Sequence, residues 1–325
     1  MNALVNSLAV VGGAVVLYAT YSIFDFASLH FVKPSRPLQS YLRAGPDPTY
    51  ALITGASAGI GFGVARELVK HGFGVILLGH LEDELHEAKK SIEKDTPGAS
   101  VRIVVMDAVK ATAEDITGLV KSLEHLNITI LDNNIGGNPI APVMREFATY
   151  STAEVDIVIE MNARFMARLT ALMMPILSRK PEEPGKRSLI LTMSSGGSMG
   201  LPWVAMYSAT KAFNLGLSRS LAREFDCTPG SHIDSLAIIP GDVRSHGNSE
   251  GVLANAPTWD QYGRYIVSTV DGAIRRKKRE LVPFWRHDLE QKILLWLGEG
   301  MRTKEIGKVV AYKKHHWEVH HAKNR

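Results

Sequence analysis

Thr54-Gly55-Ala56-Ser57-Ala58-Gly59-Ile60-Gly61 decides how this chain is read. It follows a short apolar run, Tyr50-Ala51-Leu52-Ile53, that reads as a strand. It opens a stretch over 60–71 in which Ile60, Val64, Leu68 and Val69 recur at helical spacing. Glycines 55, 59 and 61 give the pattern G-x-x-x-G-x-G between strand and helix. In that setting glycines permit the tight turn and let the backbone approach a pyrophosphate, while the helix start supplies free N–H groups and partial positive charge. Gly55, Ser57, Ala58, Gly59, Ile60 and Gly61 are therefore candidate cofactor contacts; the plain alternative is an ordinary strand-to-helix turn.

Working outward, strands are expected at 75–78, 101–105, 127–131, 188–193 and 232–238. Helices are expected at 81–94, 113–125, 152–177 and 206–225. Strands alternating with helices imply an α/β fold with a doubly wound parallel sheet of Rossmann type. Ligands of such sheets bind beyond the carboxyl ends of the strands. The glycine loop, Asn133-Asn134, Ser195 and Pro240-Gly241 each follow a strand and should meet on one rim. The second strand ends in Leu78-Gly79-His80 without a carboxylate. An acidic residue there would bind the ribose hydroxyl of NAD, so its absence points to NADP(H). His80 is either a phosphate contact or a plain loop histidine. Asp107 is either an acceptor for the adenine amine or a helix cap.

Tyr207 and Lys211 lie four apart on the helix expected at 206–225 and so share a face. A free phenol titrates about three units above neutrality, a gap of about 4 kcal/mol. An ammonium at about 4 Å in an effective dielectric near 20 supplies about that much. The pair therefore reads as an acid–base centre for carbonyl reduction, with Tyr207 protonating the oxygen and Ser195 steadying the developing charge. Alone, Tyr-x-x-x-Lys is an ordinary amphipathic pattern; with the glycine loop and the serine it becomes specific.

At this point the chain resembles the short-chain dehydrogenase/reductase family over about residues 50–271. TGASAGIG, Asn133-Asn134-Ile135-Gly136, Asn162, LTMSS, YSATKAF and Pro240-Gly241 fall in family order. The resemblance implies a catalytic set of Asn162, Ser195, Tyr207 and Lys211, with Asn162 holding a relay water and Lys211 also holding the nicotinamide ribose. It implies further cofactor contacts at His80, Asp107, Asn134, Gly136, Pro240, Gly241, Val243 and Ser245, with Asn134 supporting the adenosine side and the central strand. A nearer resemblance is to the endoplasmic-reticulum branch of very-long-chain 3-oxoacyl-CoA reductases and 17β-hydroxysteroid dehydrogenases. It rests on the N-terminal segment, the basic linker, LTMSS before YSATKAF, and Ala256-Pro257-Thr258-Trp259. Ala58, His80 and Asp132 depart from that branch. The spacing from Ser195 to Tyr207 is one short, and Ser194 would restore it. The implied activity is an NADPH-dependent ketoreductase on a lipophilic substrate, first a 3-oxoacyl thioester. A steroid-like or polyketide ketone is the alternative within the class, and a non-catalytic NADP-binding membrane scaffold is the alternative from another class. The family often dimerises.

No charged side chain stands between Asn2 and Phe24. As a helix, residues 4–24 reach about one hydrocarbon core. Lys33, Arg36 and Arg43 follow and orient the rest toward the cytosol. The expected organisation is a transmembrane anchor over 1–30, a linker over 31–48, a catalytic domain over 49–285 and a helical, basic tail over 286–325. A cleaved signal peptide is the rival reading of the start. The expected location is the endoplasmic-reticulum membrane. Cys227 is the only cysteine, so no disulfide framework exists. A net charge of +4 allows nucleotide, acyl-CoA and lipid partners but does not argue for nucleic acid. The basic run 275–279 reads as a solvated face or a contact for anionic lipid or CoA phosphates. The histidine pairs near 315–321 read as charged tail, with no metal site expected. Asp242 to Tyr262 reads as a substrate lid, and 293–297 as a membrane-surface or pocket-capping segment. Lys323-Asn324-Arg325 holds one lysine of a retrieval-type signal.

Overall fold

Leu52, Ile53, Ile76, Leu77, Leu131 and Ile190 come from consecutive positions and neighbouring strands, and all are fully shielded from solvent. Strands covered on both faces are apolar at every position rather than at alternate ones, and parallel sheets are built from such strands. The computed structural model describes residues 2–323; Asn324 and Arg325 of the retrieval-type signal lie outside them. Seven strands form one parallel sheet in the order β3-β2-β1-β4-β5-β6-β7. They are β1 (Thr49–Thr54), β2 (Gly74–Gly79), β3 (Val101–Val105), β4 (Asn127–Asn133), β5 (Ser188–Met193), β6 (Ile233–Ile238) and β7 (Glu280–Leu281). The order reverses between β1 and β4, which opens a crevice at their carboxyl ends.

The helices are α1 (Asn2–Phe31), α2 (Gly59–Lys70), α3 (Glu82–Asp95), α4 (Ala113–Leu123), α5 (Thr152–Ile159), α6 (Phe165–Leu177), α7 (Ala205–Cys227), α8 (Trp259–Arg275), α9 (Trp285–Trp296) and α10 (Glu299–Lys323). One core joins Leu52, Ile76, Leu131 and Ile190 to Leu119 of α4, Leu169 and Met173 of α6 and Phe225 of α7. On another side α2 and α8 touch backbone to backbone where Gly63 meets Gly263. Reciprocal caps fix three helix starts: Thr112 with Asp115, Ser151 with Glu154, and Thr258 with Gln261.

Three differences from the sequence reading have physical causes. The helix expected over 152–177 is broken by a π turn at Glu160–Arg164, a one-residue insertion that hydrophobic period does not register. The strand β7 is only two residues long, too short to show a period. Residues 36–48, expected as linker, fold with the sheet. Leu38 and Tyr41 are each 1% exposed. The Tyr41 hydroxyl donates to Asp234 at 2.9 Å, and the Leu38 amide donates to Asp271 at 2.7 Å.

The chain divides into two units, Met1–Ser35 and Arg36–Arg325. In the first, Ala3–Phe31 is 29 residues long with a mean hydropathy of 1.8, long and apolar enough to cross a membrane. Its diluting hydroxyls are satisfied internally: Ser7, Thr20 and Ser22 donate to the carbonyls of Ala3, Val16 and Tyr18 at 3.0, 2.9 and 2.8 Å. Such back-bonding pairs these three hydroxyls within the helix, as a bilayer favours.

Candidate active site

The glycine loop joins β1 to α2 with Gly55 and Gly59 at φ of +63° and +62°, conformations that side chains rarely adopt. Ala58 stands at the N-cap of α2 and offers no side-chain acceptor. The first-turn amides of α2 therefore have no side-chain cap, which fits the pyrophosphate of a dinucleotide. Ile60 and Gly61 lie in that turn. Asn134 closes the loop from β4, its amide donating to the carbonyls of Thr54 and Gly55, both at 3.1 Å. The Thr54 hydroxyl accepts from the amides of Asn134 and Ile135 at 2.9 and 3.1 Å. Ser57 turns away from the loop and donates to Glu84 of α3 at 3.0 Å. His80 is exposed just past β2. Asp107 accepts from the amide of Val109 at 2.9 Å. It makes a local turn, and the cap of α4 is Thr112.

The next strip over the rim is Gly136-Gly137. A Cβ on Gly136 would collide with Lys211 Nζ and with Asn162 Oδ1, so the absence of a side chain lets both groups reach one spot. Asn162 sits in the π turn with its amide locked on Gly137: Oδ1 accepts from the amide and Nδ2 donates to the carbonyl, each at 2.8 Å. π turns interrupt helices where a side chain must be re-aimed, and that is its effect here.

Ser194 and Ser195 part ways at the end of β5. The buried Ser194 hydroxyl donates to the carbonyl of Lys211 at 2.8 Å, whereas Ser195 turns its hydroxyl toward Tyr207, the two side chains meeting over Gly197. The backbone of Gly197 abuts both Tyr207 and Ser195 and donates to the Ser195 hydroxyl at 3.0 Å. Lys211 is 3% exposed. Its ammonium donates to the carbonyl of Met193 at 3.0 Å and stands 5.8 Å from the centre of the Tyr207 ring. Burial pushes Lys211 down to about 8. Burial also pushes the Tyr207 phenol above its ordinary value, and the bond to Ser195 works the other way. The lysine's hydrogen bond goes to Met193, and at the phenol desolvation outweighs the serine.

Past β6, the Pro240 carbonyl accepts from the amide of Gly196 at 2.8 Å, tying this strip to the Ser195 turn. Gly241 lies against the ring of His287, which leaves no room for a Cβ. Val243 is buried, and Ser245 reaches the glycine loop at Gly59. The glycine loop, Asn134, Gly136, Asn162, Ser195, Tyr207, Lys211 and the 240–245 strip thus line one rim at the β1/β4 crevice. A hollow of about 410 Å³ at the opposite, amino-end edge is lined by Arg43, Pro46, Phe73 and Pro97 and holds none of them.

Four neighbours of the rim had no sequence signal, because each is placed by a long-range contact. They are Glu84 on Ser57, His287 under Gly241, Lys313 and Trp203. From α10, Lys313 donates to Asp242 at 2.5 Å and to Asn248 at 3.2 Å. Asn248 in turn donates to Asp242 and to the carbonyl of Val243 at 2.8 and 2.9 Å. Gly251 packs on the backbone of Lys313. Lys314 stands over the ring of Trp203 at 5.3 Å. The basic run at 275–279 is partly spent within the fold, since Lys277 and Arg279 both pair with Asp226.

The short chain dehydrogenase family model matches residues 49–252. The chain is 34% identical over 283 residues to a very-long-chain 3-oxoacyl-CoA reductase of Kluyveromyces lactis, covering 83% of this chain and 79% of that protein. It is 29% identical over 311 residues to the one of Pyricularia oryzae, covering 93% and 88%. In three dimensions it resembles a short-chain dehydrogenase from Sphingobium yanoikuyae in complex with NADPH. The TM-score is 0.59 at 23% identity, over 77% of this chain and 97% of that one. With the parallel sheet and the glycine loop at its switch point, these matches place the chain in the short-chain dehydrogenase/reductase family, as an oxidoreductase that uses a nicotinamide dinucleotide.

Proposed function

We propose that this protein is a membrane-tethered ketoreductase that uses NADPH to reduce the keto group of a 3-oxoacyl thioester at the cytosolic face of the endoplasmic reticulum. The observation that carries the reading is the meeting of Ser195, Tyr207, Lys211 and Asn162 at the rim where α2 presents uncapped amides. When bound, the dinucleotide supplies the hydride. Tyr207 hands its proton to the carbonyl oxygen, and Ser195 hydrogen-bonds that oxygen as charge develops on it. Lys211 stands behind the phenol to hold the ribose, and Asn162 holds the Gly137 strip in place. Gly55, Gly59, Ile60, Gly61, Asn134, Gly136 and the 240–245 strip hold the dinucleotide, and His80 lies nearest the choice between NADP and NAD.

The acyl thioester is supported by the names of the relatives in Kluyveromyces lactis and Pyricularia oryzae. The tether is supported by the apolar helix at Ala3–Phe31. One observation favours a second cofactor reading. Glu84 brings a carboxylate to the glycine loop through Ser57, and a carboxylate near the ribose disfavours the extra phosphate of NADP. Purified full-length protein in detergent, given NADPH or NADH with a panel of 3-oxoacyl-CoA, steroid and polyketide ketones, tests the proposal by cofactor oxidation and product mass. Reduction of 3-oxoacyl-CoA with NADPH is expected. Turnover of another ketone alone would reassign the substrate. Dinucleotide binding without any turnover would make the protein a scaffold. Tyr207→Phe is expected to lose about a thousandfold in kcat while still binding the dinucleotide; retained turnover would remove Tyr207 as the acid.

A further inference from the structure

The outer side of α9 is apolar where a helix on a water-facing surface is polar. Trp285, Leu289, Ile293 and Trp296 follow one another at steps of four, four and three, which aligns them on one side. They are 37, 44, 52 and 87% exposed, and Trp296 is the most exposed large apolar side chain among the described residues. Leu295 and, past the Gly298 turn, Met301 extend the patch at 53 and 59% exposed. Arg286 is interleaved with these residues, as is Lys292, which pairs with Asp288 at 2.6 Å. The inner side is pinned by His287, 8% exposed, between Gly241 and the rings of Tyr262 and Phe284. The rotation of the helix is therefore fixed, and its apolar side faces outward by construction.

Three features identify what meets that side. Tryptophans at both ends of a short apolar row, with long cationic side chains between them, suit the boundary between hydrocarbon and water, where ring and charge each find their medium. From Trp285 onward the chain holds nine Lys and Arg against five Asp and Glu, an excess equal to the whole chain's net charge of +4. Such an excess is drawn to anionic headgroups. The same chain carries a helix long and apolar enough to span a bilayer, which would keep a membrane at high effective concentration around the second unit.

We propose that the outer side of α9, with Leu295 and Met301, docks on the surface of an anionic lipid bilayer and seats Trp296 at the headgroup level; this rests on the membrane-tethered reading above. The inner side of the same helix supports Gly241. Docking therefore holds the 240–245 strip, and the mouth beside it, close to the phase in which a long acyl chain dissolves.

Cys227, exposed and the only cysteine, makes the test direct. The full chain labelled with a nitrobenzoxadiazole dye at Cys227 is compared with Cys227→Ser/Trp296→Cys labelled with the same dye. Both are placed in vesicles of equal parts phosphatidylcholine and phosphatidylserine, with or without nitroxide-bearing acyl chains. The expected result is a blue shift and a several-fold greater nitroxide quenching at position 296 than at 227. Water-like, unquenched emission at 296 while the chain floats with the vesicles would overturn the docking and leave the tether standing. Failure to float would overturn both. A Cys227→Ser/Leu289→Cys chain repeats the reading at a second position on the same side and must agree.

Discussion

At the scale of single residues, Asp132 is the most anomalous. It sits in β4 with neither carboxylate oxygen bonded, and burial pushes its pKa up to about 7. The unfolded chain loses this proton near 3.8, so between 3.8 and about 7 the folded state binds the extra proton. The cost of burying Asp132 is thus absent below the unfolded value. It grows as pH rises and is complete above about 7. Raising the acid from 3.8 to about 7 is on the order of 4 kcal/mol. Asp132→Val is expected to raise the denaturant midpoint at pH 8 and to raise it much less at pH 5. An equal effect at both would mean that the acid is not the source. Glu84 is the second case. Glu84→Gln is expected to improve kcat/KM for NADPH relative to NADH by roughly fivefold, the effect of about 1 kcal/mol of repulsion removed. An unchanged ratio would take Glu84 out of cofactor choice. Neither role was legible in the sequence. Asp132 showed only as an acid among apolar neighbours, and Glu84 as one of several acids in a helix's first turn. Tyr207, Lys211 and Ser195 were legible because each follows a strand or repeats on a helical face, and both rules are local.

Among the elements, α10 departs furthest from its sequence reading. Its His and Lys residues read as a charged tail, yet it grips the loop after β6 through Lys313, Asp242 and Asn248. Both partners of the ion pair are mostly shielded, at 21 and 24% side-chain exposure, so it is worth more than an open surface pair. Lys313→Ala is expected to raise the KM for the dinucleotide severalfold, with kcat little changed and the circular dichroism spectrum kept. An unaltered KM would show that the loop holds its shape without the helix. The glycine loop, α2 and the strands around them follow from short-range pattern, and there the sequence reading and the fold coincide. The π turn at Glu160–Arg164 and the two-residue β7 do not. The first adds one residue without disturbing the apolar spacing, and the second is shorter than any period.

For the whole molecule, the family match ends at residue 252. The rim does not end there, since His287 and Lys313 come from beyond it and press on Gly241 and Asp242. The part of the chain that looked like an appendix is therefore joined to the candidate site. Gly251 lies so close to Lys313 and His316 that a side chain there would crowd both, so the two segments fit as a matched pair, and neighbours of this kind do not contribute additively. A graft of the 242–258 loop from a relative is expected to lose its shape unless the donor's own final helix comes with it. The loop after β6 and the final helix are expected to be exchangeable only as one pair.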